Sequence, residues 1–182
     1  MRNHSKNTYT DVRWLMISWD DTKFDQSMSI LYWSDWRINH HGEAHNFDGT
    51  IFSKNHPFFL ESIELWVRDL VVILIKKFNC ITYNSCQWHR NSPKRRVGIL
   101  PRNHQEFEHL YTQLLLFTNQ KSSIYWKISI LCTELLDCKT QSYFPVLDIV
   151  IDSSSFCKLF PFFFHEKILD AITNEFILSL KW

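Results

Sequence analysis

The sequence predicts an α+β fold: a single-domain two-layer sandwich, with a mixed or antiparallel sheet and about three helices. Three observations carry the prediction. Apolar residues recur at three- and four-residue spacing in three separate stretches, the mark of amphipathic helices. Between them lie short runs that alternate or are rich in branched and aromatic residues, the mark of strands. The order of these runs groups strands in pairs before each helix, which suits an α+β layout better than strict alternation.

Taken in order, the first 55 residues hold aromatic-rich strands and a polar histidine loop. Arg13 to Trp19 and Ser27 to Trp36 are predicted as strands. Residues 37–55 are polar, contain two of the three glycines, and are predicted as a loop. The main core occupies 56–182. Pro57 suits a first helical position, where its missing N–H costs nothing. Phe59, Ile63, Trp66, Val67, Leu70, Val71 and Leu74 then draw one apolar face. Glu61 and Glu64 near the start, with Lys76 and Lys77 near the end, complement the helix dipole, and Asn79 supplies a stop.

Cys80 to Tyr83 reads as a short strand, Asn84 to Arg96 as a polar turn, and Val97 to Leu100 as a strand. Asn103 with Glu106 three residues on has capping-box spacing. Phe107, Leu110, Tyr111, Leu114 and Leu115 carry that helix to about Asn119. Ile124, Trp126, Ile128, Ile130 and Cys132 alternate with polar residues as a half-buried strand. Phe144 to Ile151 is a second strand, and 133–143 is long enough for a hairpin connection. Ile168, Leu169, Ile172, Phe176, Ile177 and Leu180 mark a C-terminal helix from about His165.

Composition narrows the function classes. The chain has 182 residues, of which 45% are apolar, so intrinsic disorder is excluded as a description of the whole. Its 20 Lys+Arg against 19 Asp+Glu leave a net charge of +1, which gives no general field for nucleic acid. No apolar run approaches the roughly 18 to 20 residues of a membrane span, and the first residues lead into no apolar signal core. Five cysteines without paired C-x-x-C spacing are expected as reduced thiols in the cytoplasm. No phosphate loop, GxGxxG, GxSxG or kinase signature occurs, which disfavours the folds they mark. Residues with AT-rich codons greatly outnumber Gly, Ala, Arg and Pro, a bias that fits an AT-rich genome or a mobile or horizontally acquired locus, the second of which slightly favours an antiviral-defence, toxin or immunity role.

Three constellations carry candidate chemistry. Ser85-Cys86-Gln87-Trp88-His89 places a thiol at a strand end near an imidazole, so Cys86 is a candidate nucleophile and His89 a candidate acid/base. Arg90, Lys94, Arg95, Arg96 and Arg102, with His104, form a cationic run suited to phosphate, and the following helix start offers backbone N–H groups. Trp88, His89 and Tyr83 would add stacking surface for a base. In His40-His41-Gly42-Glu43-Ala44-His45, an extended chain would project His41, Glu43 and His45 to one side. Two imidazoles and a carboxylate suit a divalent metal such as zinc. Each has a plainer alternative: a partly buried cysteine, a solvated basic turn and a polar histidine loop.

Two readings follow. The first is a small intracellular protein that binds or acts on a nucleotide or short nucleic acid through the Cys/His/Arg turn at 85–102. Whether that action is enzymatic is left open. On this reading Arg95→Ala weakens nucleotide binding without lowering stability. The second is a non-enzymatic interaction protein, immunity- or antitoxin-like or a defence-complex subunit. Its partner protein would meet Trp14, Trp19, Trp33 and Trp36 or the Phe-rich run 160–164.

Overall fold

The computed structural model describes residues 9–10, 12–20, 29–30, 50–51, 53–86, 94–119, 126–137, 140–153 and 162–181. The elements are β1 (Tyr9–Thr10), α1 (Val12–Ser18), β2 (Ser29–Ile30), β3 (Thr50–Ile51), α2 (Leu65–Phe78) and β4 (Ile81–Cys86). They continue with β5 (Lys94–Leu100), α3 (His104–Asn119), β6 (Trp126–Asp137), β7 (Tyr143–Ser153) and α4 (Phe162–Leu180). The chain is α+β. It divides into two compact units, Met1–Glu64 with Cys132–Val146, and Leu65–Leu131 with Leu147–Trp182. None of the described helices is long and apolar enough to cross a membrane.

In the first unit, β1 runs parallel to the end of β6, with Tyr9 opposite Leu136, and β2 pairs antiparallel with β3. The strand predicted over Arg13 to Trp19 is instead the helix α1. Val12, Leu15 and Trp19 are fully buried at helical spacing, while Ile17, which a strand would have set beside Leu15, is 79% exposed. Trp19 meets Phe59 edge-on at 5.6 Å, so tertiary burial overrides the strand propensity of its aromatic neighbours. The described residues of the second predicted strand, Ser29–Ile30, are strand, and the rest of it lies outside the described residues. The loop predicted over 37–55 contains the short β3.

The helix predicted from Pro57 begins at Leu65. Before it, the chain makes successive tight turns: Phe59 N–H donates to His56 O, and Ile63 N–H to Leu60 O. Side chains take the backbone groups a helix would use. His56 Nδ1 accepts the Phe58 N–H at 3.1 Å, and the Ser62 hydroxyl donates to Phe59 O at 2.7 Å. The predicted connection after Cys132 is likewise mostly strand. A tight turn closes it, with Asp137 N–H donating to Ser142 O and Gln141 at φ 53°.

In the second unit β5 pairs antiparallel with β4 on one side and with β7 on the other, within a sheet whose antiparallel strands run in the order β6-β7-β5-β4. Helix α2 packs on β4 and β5 and against α4, which in turn touches α3. Val67, Leu70, Val71 and Leu74 of α2 and Leu169, Ile172, Phe176, Ile177 and Leu180 of α4 are buried. Each such side chain contributes roughly 1.5–3 kcal/mol on leaving water. Asn79 ends α2 at φ 50°, a left-handed stop that asparagine tolerates better than most residues. Asn103 Oδ1 accepts the Glu106 N–H at 2.9 Å, as the capping box predicts, but the Glu106 carboxylate reaches back to the Arg102 N–H.

The largest departure lies between Tyr83 and Val97. The predicted polar turn is shorter, because β4 continues to Cys86 and β5 begins at Lys94. Their register shifts by one residue between Thr82 and Asn84, as at a β-bulge. Three of the predicted cations therefore stand in the sheet, where consecutive side chains point to opposite faces.

Candidate functional site

Alternation along β5 separates Arg95 from Lys94 and Arg96. Arg95 faces the helices and is 3% exposed. Its guanidinium donates to Thr173 Oγ1 at 2.9 Å, pairs with Asp170 and lies 5.7 Å from the Trp66 ring centroid. Arg95 thus fastens α4 and α2 to the sheet and is out of a dissolved ligand's reach. The expectation that Arg95→Ala spares stability does not suit this position.

The opposite face carries a second, differently built cluster. Asp148 is fully buried on β7 opposite Gly98. Arg96 Nε donates to its Oδ1 at 2.9 Å and Nη2 to its Oδ2 at 2.6 Å, a two-point fork. The Tyr83 hydroxyl donates to the same Oδ1 at 3.0 Å. Tyr83 lies so close over β5 that a Cβ on residue 98 would stand 2.6 Å from its ring, which is why glycine is required there. Burial first, and the Asp148 charge second, push the Tyr83 phenol far above its ordinary range. Burial works against the Arg96 charge, but the hydrogen bonds and charge of Asp148 outweigh it and raise the guanidinium's pKa. At neutral pH the phenol is therefore neutral and the guanidinium charged.

Arg96 nonetheless keeps 30% of its side chain exposed. Nε and Nη2 are directed at the buried carboxylate, and Nη1 is the guanidinium nitrogen outside that fork. Cys86, half-buried at the end of β4, is the direct cross-strand partner of Arg96. The sheet thus brings together two of the residues predicted for the site.

The other predicted residues fall elsewhere. Lys94, half exposed, pairs with Asp152 at 3.0 Å. Arg102 donates to Glu106 and to Asn79 O, at the rim of an open groove of about 530 Å³ at the start of α3. The exposed His104 lies 4.0 Å from Glu108. Tyr83, expected as a stacking surface, is buried, as is Trp19, expected on an interaction surface. His89, Arg90, Trp88, His41, Glu43, His45, Trp33 and Trp36 lie outside the described residues, as do Phe160 and Pro161 of the Phe-rich run. Among the described residues, no group of three or more His, Cys, Asp or Glu side chains is placed to hold a metal ion. Cys80, Cys86 and Cys132 form no disulfide.

No protein-family model, curated protein or solved structure matches the chain.

The residue that sequence reasoning undervalued is Asp148. In the sequence alone, Asp148 and Asp152 are two acids at even spacing on the last strand, which could serve a metal-dependent nuclease but are common on a solvated strand face. Lys94 stands directly across from Asp152, but Arg96 stands across from Val150 and reaches Asp148 along the diagonal, so the pairing shows only once the register is known.

Proposed function

We propose that the chain binds a phosphate-bearing ligand, a nucleotide or a short nucleic acid, with Arg96 as the anchoring cation and Cys86 beside it. One observation carries this reading: a fully buried carboxylate grips one side of the Arg96 guanidinium, while the side chain stays 30% exposed. A guanidinium held in this way spends little entropy on binding and offers paired N–H donors to a phosphate. Reduced thiols and a cytoplasmic setting belong to the same reading.

Calorimetric titration with a nucleoside monophosphate tests it. Arg96→Lys keeps the charge but loses the fork, so affinity should fall about tenfold or more with the fold retained. A variant with normal affinity, or wild-type protein that binds no phosphate compound, overturns the reading.

A partner-protein reading has one observation in its favour. Leu65 and Trp66, at the start of α2, are 49% and 44% exposed, and tryptophan is a frequent interface anchor. It becomes the better account if wild-type protein binds no phosphate probe.

A further inference from the structure

We infer that the Arg96 site takes a single phosphate group, as on a mononucleotide, rather than successive phosphates of a strand. This deepens the proposed function and rests on it. The argument starts from charge. A surface that tracks a nucleic-acid backbone needs several cations in a row, each able to exchange counterions for a phosphate. The described part of the predicted cationic run has been divided differently. Arg95 is on the helix-facing side, with Asp170. Arg102 is matched by Glu106 at the start of α3. On the Arg96 face, the next cation along β5 is Lys94, and Asp152 stands directly across from it. A second phosphate placed in that direction meets a lysine and a carboxylate whose charges cancel.

Arg96 differs in geometry rather than in charge. Asp148 balances it too, but from the buried side and through Nε and Nη2. Nη1 takes no part in that fork, and on our inference its N–H, with the second N–H of Nη2, meets two oxygens of one phosphate. Recognition here depends on directed hydrogen bonds at one point, not on a positive field. Tyr83 reinforces it. Its hydroxyl holds the same Asp148 oxygen that receives Arg96 Nε, and Gly98 allows its ring to lie against the strand. Tyr83 is thus a positioning residue for the fork.

The test measures affinity of the full chain for inorganic phosphate, a nucleoside monophosphate and single-stranded oligonucleotides of two, four and eight residues, at about 50 to 200 mM salt. The monophosphate should bind with a log–log salt slope of about −0.9 or shallower, a three- to four-fold loss over that range. Oligonucleotides should bind no more than about twofold tighter than the monophosphate. Inorganic phosphate matching the monophosphate places the recognition wholly in the phosphate; weaker binding assigns a share to the nucleoside, and both agree with a single-phosphate site. Affinity that climbs with length, with a slope of about −2 or steeper, overturns the inference while leaving phosphate binding intact. Absence of binding to every probe removes both.

Discussion

On the helix-facing side of β5, Arg95 is almost completely buried among Thr173, Asp170 and Trp66. On the other side, its neighbour Arg96 is held by Asp148 and keeps nearly a third of its side chain in solvent. Both guanidiniums have a carboxylate, yet the burial is reversed. Around Arg95 the cation is buried and the carboxylate, Asp170, is 27% exposed; around Arg96 the carboxylate is buried and the cation reaches out. A buried cation joins elements together. A buried anion turns an exposed cation into an oriented donor. Adjacent residues of one type thus serve structure and, on our proposal, recognition.

The largest way to break this comparison is to remove the buried anion. Asp148→Ala strips Arg96 and Tyr83 of their common acceptor and should cost about 3 kcal/mol in urea unfolding. A loss below about 1 kcal/mol would mean that the carboxylate does not organise its face of the sheet.

Next in size is Arg95. Arg95→Ala should lower stability by about 2 kcal/mol, because it leaves a void beside Trp66 and removes the partner of Asp170, which water partly relieves. Arg95→Met keeps the apolar stem and should recover most of that loss in the same measurement. Phosphate-probe affinity should be unchanged in Arg95→Met. A drop there comparable to that of Arg96→Lys would erase the distinction between the two faces.

The smallest effect sharpens the picture of Tyr83. Tyr83→Phe removes one hydrogen bond and should cost about 1 kcal/mol at neutral pH. The wild-type phenol titrates higher in the folded protein than its ordinary value of 10.0. Above that ordinary value the unfolded chain gives up the proton that the folded chain retains, so stability falls as pH rises further. Unfolding followed between about pH 9 and 11 should show a shallower decline in Tyr83→Phe than in wild type. Equal slopes would place the alkaline loss in other groups.

How much of this was legible in the sequence depended on whether the deciding partner was near or far along the chain. Helix α3 announces itself through Asn103, Glu106 and its apolar spacing, and Asn79 marks the end of α2; both signals are local. The strands of the main core were legible in kind but too short in extent. Lys94, Arg95 and Arg96 resemble a solvated turn until Asp152, Asp170 and Asp148, more than fifty residues away, supply the charges that let them enter a sheet. The first helix was misread for a similar reason. Arg13 to Trp19 has the residue types of a strand, and only the burial of Val12, Leu15 and Trp19 settles its period. Of the candidate site, Cys86 and Arg96 were visible as residues. Their pairing, and the importance of Asp148, required the register.

That register turns on the extra residue near Tyr83. Tyr83 and Asn84 together occupy the place opposite Gly98, so Ser85 falls across from Val97 and Cys86 across from Arg96. Were the ladder to run without that insertion, Asn84 would stand opposite Val97, and Ser85 would take the place beside the Arg96 fork. The thiol would move on to face Arg95. A single inserted residue in β4 therefore selects a thiol rather than a hydroxyl as the direct cross-strand partner of Arg96, and so decides whether that position of the sheet can feel an oxidant.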